Sequence, residues 1–380
     1  MLDVIVAGAG PAGSMAALVL ARAGARVLIV DRESFPRDKL CGDTVNPGAI
    51  EFLHAMGLVG GPLDEGQPLR GMILSGTRAV VSATYGGTHV GRSVRRYDFD
   101  MWMLERAIEA GARFESALVA RQPLFQHAAV RGLVLSPRGK PDRTNRVPAS
   151  TVIAADGSRS ALARSLGLLA VPQRPRRWAF GAYATGISGV TDLGEMHVRR
   201  TLYVGIAPMG GGVANVCVVT GARPEGRGPR EVMARAIDAD PALAARFANA
   251  MFLGPPRVLG PLASEASSVG VEGLLLAGDA AGFIDPMTGD GLHLAIRGGV
   301  LAAQETLRAL ETSDFVAAPL RLAEARRAAL GSKLRFNRVI RAVTGSPATI
   351  DLLSVGAAII PGIMRPVIRY AGDVSNGGPS

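Results

Sequence analysis

The chain has 380 residues, 48% apolar and 19% charged, which excludes a disordered or fibrous polypeptide and allows a large core. Its formal charge is +10, and because only Lys39, Lys140 and Lys333 are lysines the excess is arginine. The arginines are scattered without a recognition motif, so nucleic acid is excluded as a partner; the charge reads as background composition, with an anionic lipid or an acidic carrier as the functional alternative.

No continuous apolar run reaches the roughly 18–20 residues of a membrane span, and no secretory leader is expected ahead of Leu2. The two cysteines, Cys41 and Cys217, make no disulfide framework, and the five histidines show no ligand spacing, so no metal is expected. A cytoplasmic location is expected, with membrane association as a further option.

In chain order, Leu2–Ala7 reads as a strand, Gly8–Gly13 as a turn, Ser14–Ala23 as a helix ended by Gly24, and Arg26–Val30 as a second strand closing at Asp31. This is a βαβ start on a parallel sheet. A loop follows to Pro47, then a short helix ending near Gly57. Arg70–Ser75 and Ala79–Thr84 form a strand pair, and Asp98–Glu109 a helix stopped by Gly111. Phe114–Ala120, Ala128–Ser136 and Thr151–Ala155 read as further strands. Pro137–Pro148 and Arg223–Arg230 are polar loops, and Trp178–Thr220 is β-rich. Leu274–Ala277 is a strand, Gly291–Leu310 and Pro319–Ala329 are helices, and apolar helical pieces follow Phe336, interrupted at Pro347 and Pro361.

Nucleotide-binding pieces thus interleave with a β-rich insert. The expected fold is α/β: a Rossmann-like cofactor domain of residues 1–75, 98–170 and 265–312, a β-rich substrate domain of 76–97 and 171–264, and a helical segment of 313–380.

Gly8-Ala9-Gly10-Pro11-Ala12-Gly13 sits between a strand and a helix, the setting of a dinucleotide fingerprint. The first glycine serves the turn, the second admits the diphosphate, and the third lets helix and strand pack. The helix N-terminus offers N–H groups to phosphate. Asp31, 18 residues after Gly13, is placed to accept from a ribose diol; with Arg32 after it, this motif leaves NAD and FAD both open.

The second constellation selects FAD. Leu274–Ala277 leads into Gly278-Asp279-Ala280-Ala281-Gly282, then Pro286, Gly289, Asp290 and Gly291. Asp279 is a candidate acceptor for ribityl hydroxyls. The Gly289–Gly291 N–H groups are candidates to face the electron-rich edge of the flavin ring, where a positive dipole favours its reduced anion. A third strand end, Ala155-Asp156-Gly157-Ser158, precedes a helix capped by Ser158 or Ser160.

Together these motifs, over about residues 2–312, resemble the flavoproteins of the p-hydroxybenzoate hydroxylase fold. That resemblance also covers Arg96, Phe99 and Asp100 and implies that Arg96 lies near FAD. Within the fold, Pro36-Arg37-Asp38-Lys39-Leu40-Cys41-Gly42 is similar to the Pro-x-x-Lys-x-Cys-Gly stretch of the geranylgeranyl reductase group, which reduces isoprenoid double bonds. It implies that Lys39 and Cys41 lie near the flavin, with Cys41 tuning the site or donating a proton. The stricter form of the stretch has a second glycine where Asp43 stands here. The group's Tyr-x-Trp-x-Phe-Pro substrate strand is matched only by Tyr203 and Pro208, with Gly205 and Ala207 in place of the aromatics. Flavin-dependent halogenases share the fold, but their Trp-x-Trp-x-Ile-Pro signature is absent and Trp102 and Trp178 are isolated.

Cys217 is expected in the core, and His293 is a lesser candidate for approach to FAD. The apolar segment 352–364, flanked by arginines, reads as packed helices or as an interfacial lid. Three functions are weighed: an FAD-dependent reductase of a double bond in a hydrophobic substrate, an FAD-dependent monooxygenase of an aromatic or polyketide, and a flavin-binding electron carrier. No second fingerprint serves a nicotinamide, so NAD(P)H or reduced ferredoxin is expected as an external donor.

Overall fold

The computed structural model of the protein describes residues 1–77, 79–170, 177–221, 226–283, 287, 289–344 and 364–374. Pro286, residues 223–225 of the second polar loop, and nearly all of the apolar segment 352–364 lie outside them.

The first sheet is built around the strand Leu2–Ala7 (β1). Its order is Gly270–Val271, Leu274–Leu276, Asn145–Ala154, β1, Val27–Val30 (β2) and Arg113–Glu115, with Ala129–Pro137 and Leu118–Gln126 branching from Asn145–Ala154. β1 pairs in parallel with both neighbours, Ala7 opposite Ala154 and Val30. Val4, Ile5, Val6 and Ala7 are all buried, as expected for a strand covered on both faces. The helix Pro11–Arg22 (α1) starts on Pro11, whose missing N–H costs nothing there, and ends before Gly24 at φ +84.

The structure departs from the sequence expectation at several elements. The strand expected over Phe114–Ala120 is two strands, broken at Ala117 with φ +56. The loop expected to run to Pro148 ends earlier, because Asn145 and Arg146 pair with Leu135 and Val134. The helix expected over Pro319–Ala329 runs from Ala318 to Thr344.

The second sheet has seven strands in the order Met251–Leu262, Arg177–Thr185, Val213–Thr220, Leu202–Gly210, Leu193–Val198, Gly71–Ser75 and Val80–Thr84. Gly71–Ser75, grouped by the sequence with the cofactor pieces, belongs to this sheet, because its backbone pairs with Leu193–Val198 and Val80–Thr84. Gly91–Ser93, grouped with the substrate domain, instead joins Thr44–Val45 and Gln67–Leu69 in a small third sheet. The helices Pro229–Asp238 and Pro241–Phe247 cover one face of the seven-stranded sheet, burying Val232, Met233, Ile237 and Leu243 against Val204, Ile206, Val216 and Val218. The opposite face packs Ala179, Tyr203 and Val219 against Leu40 and Met287 and lines part of a cleft.

Candidate functional site

A cleft of about 1590 Å³, its solvent-open mouth included, lies between loops and helix starts that follow strands of the first sheet and one face of the seven-stranded sheet. One wall carries Gly10, Pro11 and Ala12, Lys39, Cys41, Arg96, Gly157, Asp279, Gly289 and Gly291. These come from stretches up to about 280 residues apart in sequence, and the fold brings them together. The other wall comes from the seven-stranded sheet, with Met72, Ala179, Gly194, Met196, Tyr203, Gly205, Ala207, Asn215, Cys217, Leu259 and Leu262.

The three glycines of the first turn differ in what constrains them. Gly8 has φ +104, and a β-carbon there would stand 2.3 Å from the Ala155 carbonyl oxygen. A β-carbon on Gly13 would stand 1.8 Å from the Gly8 carbonyl oxygen. At Gly10 the nearest atom is the Arg37 guanidinium at 3.5 Å. The first and third glycines therefore serve the turn and the helix packing, while the second leaves an open approach at the head of α1. Gly278 serves packing as well: its φ is +58 and a β-carbon would meet Ala12 at 2.6 Å.

Several candidates hold the frame without lining the cleft. Asp31 accepts from the Ala9 N–H at 2.8 Å and the Glu33 N–H at 2.9 Å, fixing the glycine turn to the end of β2. Each oxygen keeps acceptor capacity for a further donor. Arg32 points outward, with 70% of its side chain exposed. Asp156 caps the short helix Ala161–Ser165 through the Ala161 N–H at 2.8 Å, and Ser160 caps the same helix through Ala163. Asp290 is buried and turns away toward Asn337 at 2.9 Å and Lys333 at 3.6 Å. Pro208 is buried outside the cleft lining, whereas Tyr203 faces the cleft. His293 is engaged by Asp373 at 2.7 Å and does not line the cleft. Cys217, expected in the core, lies on the cleft wall because it alternates with the inward Val216 and Val218.

The charged centre of the site is Asp100, which is fully buried. Arg96 grips it with two hydrogen bonds of 2.6 Å, and Arg37 approaches the same carboxylate at 2.8 Å. Burial opposes the charge of Arg96, but Asp100 raises its pKa overall and keeps it a cation. Two guanidiniums on one carboxylate leave a net positive charge, with Arg37 beside Gly10. Arg37 stands in the Pro36–Gly42 stretch, but nothing in the sequence signalled that it would join the charged centre. Lys39 reaches Asp279 at 4.0 Å, joining the loop to the Gly278–Ala281 turn. Cys41 is half-buried at the cleft, and burial raises its pKa although Arg96 works against that shift, so it stands as a thiol.

The donor set and the open approach at Gly10 suit an anionic dinucleotide. The chain matches the FAD binding domain family over residues 1–332. It is 32% identical over 330 residues to menaquinone reductase of Mycobacterium tuberculosis, covering 80% of this chain and 76% of that protein. It is 31% identical over 334 residues to digeranylgeranylglycerophospholipid reductase 2 of Methanopyrus kandleri, covering 84% and 80%. Among solved structures it is similar to a flavin-dependent brominase (TM-score 0.85, 20% identity, covering 98% and 94%). It is also similar to a geranylgeranyl bacteriochlorophyll reductase-like protein from Thermoplasma acidophilum (TM-score 0.78, 24% identity, covering 93% and 90%). By descent and by fold, the chain belongs to the FAD binding domain family and to its geranylgeranyl reductase-like group, and it is an FAD-dependent oxidoreductase.

Proposed function

We propose that the protein reduces a carbon–carbon double bond in a long apolar, isoprenoid-type substrate. The observation that carries this reading is the cleft wall opposite the glycine turn. Ala179, Gly194, Gly205 and Ala207 open space along it, and Met72, Met196, Leu259 and Leu262 make it apolar. Such a wall recognises length and hydrophobicity rather than a pattern of polar groups. The named activities of the two enzyme relatives, both reductases, agree with it.

In this reading Gly10, Pro11 and Ala12 at the head of α1, with Arg37, receive the FAD diphosphate, and Asp31 the adenosine ribose. Arg96, Lys39, Gly157 and Asp279 bound the rest of the cofactor and the Gly289–Gly291 backbone its ring edge, while Asp156, Gly278 and Asp290 brace these turns from behind. Bound FAD, once reduced by an external NAD(P)H or ferredoxin, supplies the electron pair. The chain's own residues exclude water with the apolar wall, align the substrate between Tyr203 and the cofactor loop, and hold a proton on the Cys41 thiol.

None of the described helices is long and apolar enough to cross a membrane. The basic surface and the arginine-bearing C-terminal helix Met364–Ala371 would let the protein meet a greasy substrate at an anionic membrane surface.

The test is anaerobic. Purified yellow protein, reduced with dithionite, is mixed with a geranylgeranyl lipid and the product is weighed by mass spectrometry. A gain of two hydrogens per double bond, with reoxidation of the flavin, is expected. Oxygen-dependent insertion into an aromatic substrate without anaerobic saturation would replace this reading with the monooxygenase one. Protein that emerges colourless and takes up no FAD would remove both.

A further inference from the structure

The cleft wall at Cys41 is backed by a buried acid. Asp43 is 1% exposed and has φ +56, the left-handed region that glycine enters freely and Asp tolerates better than most residues. The backbone at this position thus suits a glycine, and this chain puts an ionisable side chain there instead. Its Oδ2 accepts from the Tyr183 hydroxyl at 2.5 Å and from the Asn215 amide at 2.7 Å. The same amide donates to the Cys41 carbonyl at 3.0 Å. Oδ1 is fully buried and has no hydrogen-bond partner among the described residues. In a native site such an atom calls for a reason.

Several groups surround this carboxyl. Arg96 and Cys41 face it from the cleft side, from the helix Arg96–Glu109 and from its own loop; Tyr183 and Asn215 face it from the seven-stranded sheet. Tyr183 is half-buried, its ring lies 5.3 Å from the exposed Arg95 guanidinium, and Asp38 adds a nearby negative charge. The carboxyl therefore sits between the half-buried Tyr183 and Asn215 on the cleft wall, two residues from Cys41, and its charge acts on the Cys41 thiol. Burial pushes the Asp43 pKa up to about 6, against the pull of Tyr183, Asn215 and Arg96, so the group exchanges protons near neutral pH.

We propose that Asp43, fed through Tyr183, sets and resupplies the proton held by Cys41. The idea rests on the proposed function, because saturating a double bond adds two hydrogens. The reduced flavin accounts for the electron pair and one hydrogen, and the second hydrogen arrives as a proton. The Cys41 S–H bond breaks as the new C–H bond forms. The thiolate takes the Asp43 proton; because burial and Asp43 hold the Tyr183 phenol well above its ordinary pKa, Tyr183 hands its proton to Asp43 only in concert with taking one from water, which leaves as hydroxide. The three residues end as they began, with no change of oxidation state. Asp43 and Tyr183 act through Cys41, so they are positioning residues.

The first test needs no turnover. FAD-loaded protein is treated with iodoacetamide from pH 5 to 9, and Cys41 labelling is followed by peptide mass spectrometry, which separates it from Cys217. Wild type is expected to show two inflections, the lower near pH 6. Asp43→Asn, which keeps the left-handed backbone, should lose the lower one and label roughly three- to tenfold faster at pH 8, since a negative neighbour is gone. Asp43→Gly serves as the second variant should the first fold poorly. The flavin absorbance spectrum checks that the site is intact. A Cys41 profile unchanged in both variants would overturn the proposal.

The second test is single-turnover oxidation of the reduced protein by the geranylgeranyl lipid in H₂O and D₂O. Tyr183→Phe should slow it roughly tenfold and change its solvent isotope effect, while dithionite reduction of the flavin stays at the wild-type rate. Turnover and isotope effect unaltered in Tyr183→Phe would remove the path to solvent. Absence of lipid saturation in wild type would remove the reductase reading alone, because the alkylation profile still decides whether Asp43 governs Cys41.

Discussion

The Gly8 carbonyl oxygen lies 1.8 Å from the point that a β-carbon on Gly13 would occupy, so the two glycines are pressed together at the start of α1. A β-carbon on Gly10, between them, would meet nothing nearer than the Arg37 guanidinium at 3.5 Å. Substituting these glycines therefore separates folding from binding. Gly13→Ala forces backbone apart and is expected to abolish soluble expression or to lower stability by about 3 kcal/mol or more. Gly10→Ala is expected to fold with a near wild-type melting temperature while losing FAD on gel filtration, because its methyl group projects into the diphosphate approach. Equal melting temperatures for the two variants would refute the distinction.

Arg96 and Asp100 form a buried pair, and removing one partner strands the other. Arg96→Met leaves the fully buried Asp100 with Arg37 alone, and a loss of about 3–5 kcal/mol in urea denaturation is expected, together with loss of FAD. The double variant Arg96→Met/Asp100→Asn should recover part of the stability but not the FAD content.

A β-carbon on Gly205 would find only ordinary contacts, 3.7 Å from the end of Met196 and 3.9 Å from two backbone oxygens, so a larger side chain would extend into the cleft rather than into the sheet. Gly205→Trp is expected to keep the yellow colour and the melting temperature while raising KM for a geranylgeranyl lipid by roughly tenfold or more. Unchanged kinetics would mean that the substrate does not run along this wall.

The C-terminal segment is clamped by Asp373, which pairs with His293 at 2.7 Å, with Lys333 at 3.0 Å and with Asn46 at 3.0 Å. Burial opposes its charge, yet His293 and Lys333 hold its carboxyl below the ordinary value of 3.8. A carboxyl with a lowered folded pKa stabilises the protein above its unfolded pKa, and that contribution is lost as pH falls through the folded value. Asp373→Asn is therefore expected to cost about 1.5–3 kcal/mol at pH 7. The difference should shrink below about pH 4 and vanish once the wild-type carboxyl is protonated. Thermal melts across that range check the sign.

Local signals in the sequence determined the βαβ opening, the three strand ends that carry the cofactor motifs, and FAD rather than NAD as the cofactor. Those features depend on neighbours a few residues apart: apolar runs, glycines that permit φ above zero, and prolines or serines that begin helices. The two sheets were legible only as β-rich blocks. Pairing of Gly71–Ser75 with Leu193–Val198 across more than 100 residues leaves no local trace, so that strand was grouped with the wrong sheet. Asp31, Asp156 and Asp290 have the residue type a ligand site needs, yet each spends hydrogen bonds on the frame. Only the tertiary structure decided which carboxylates face the cleft. It also put Arg37 beside Gly10 and buried Asp43 between Tyr183 and Asn215, because burial and charge depend on what distant segments bring alongside.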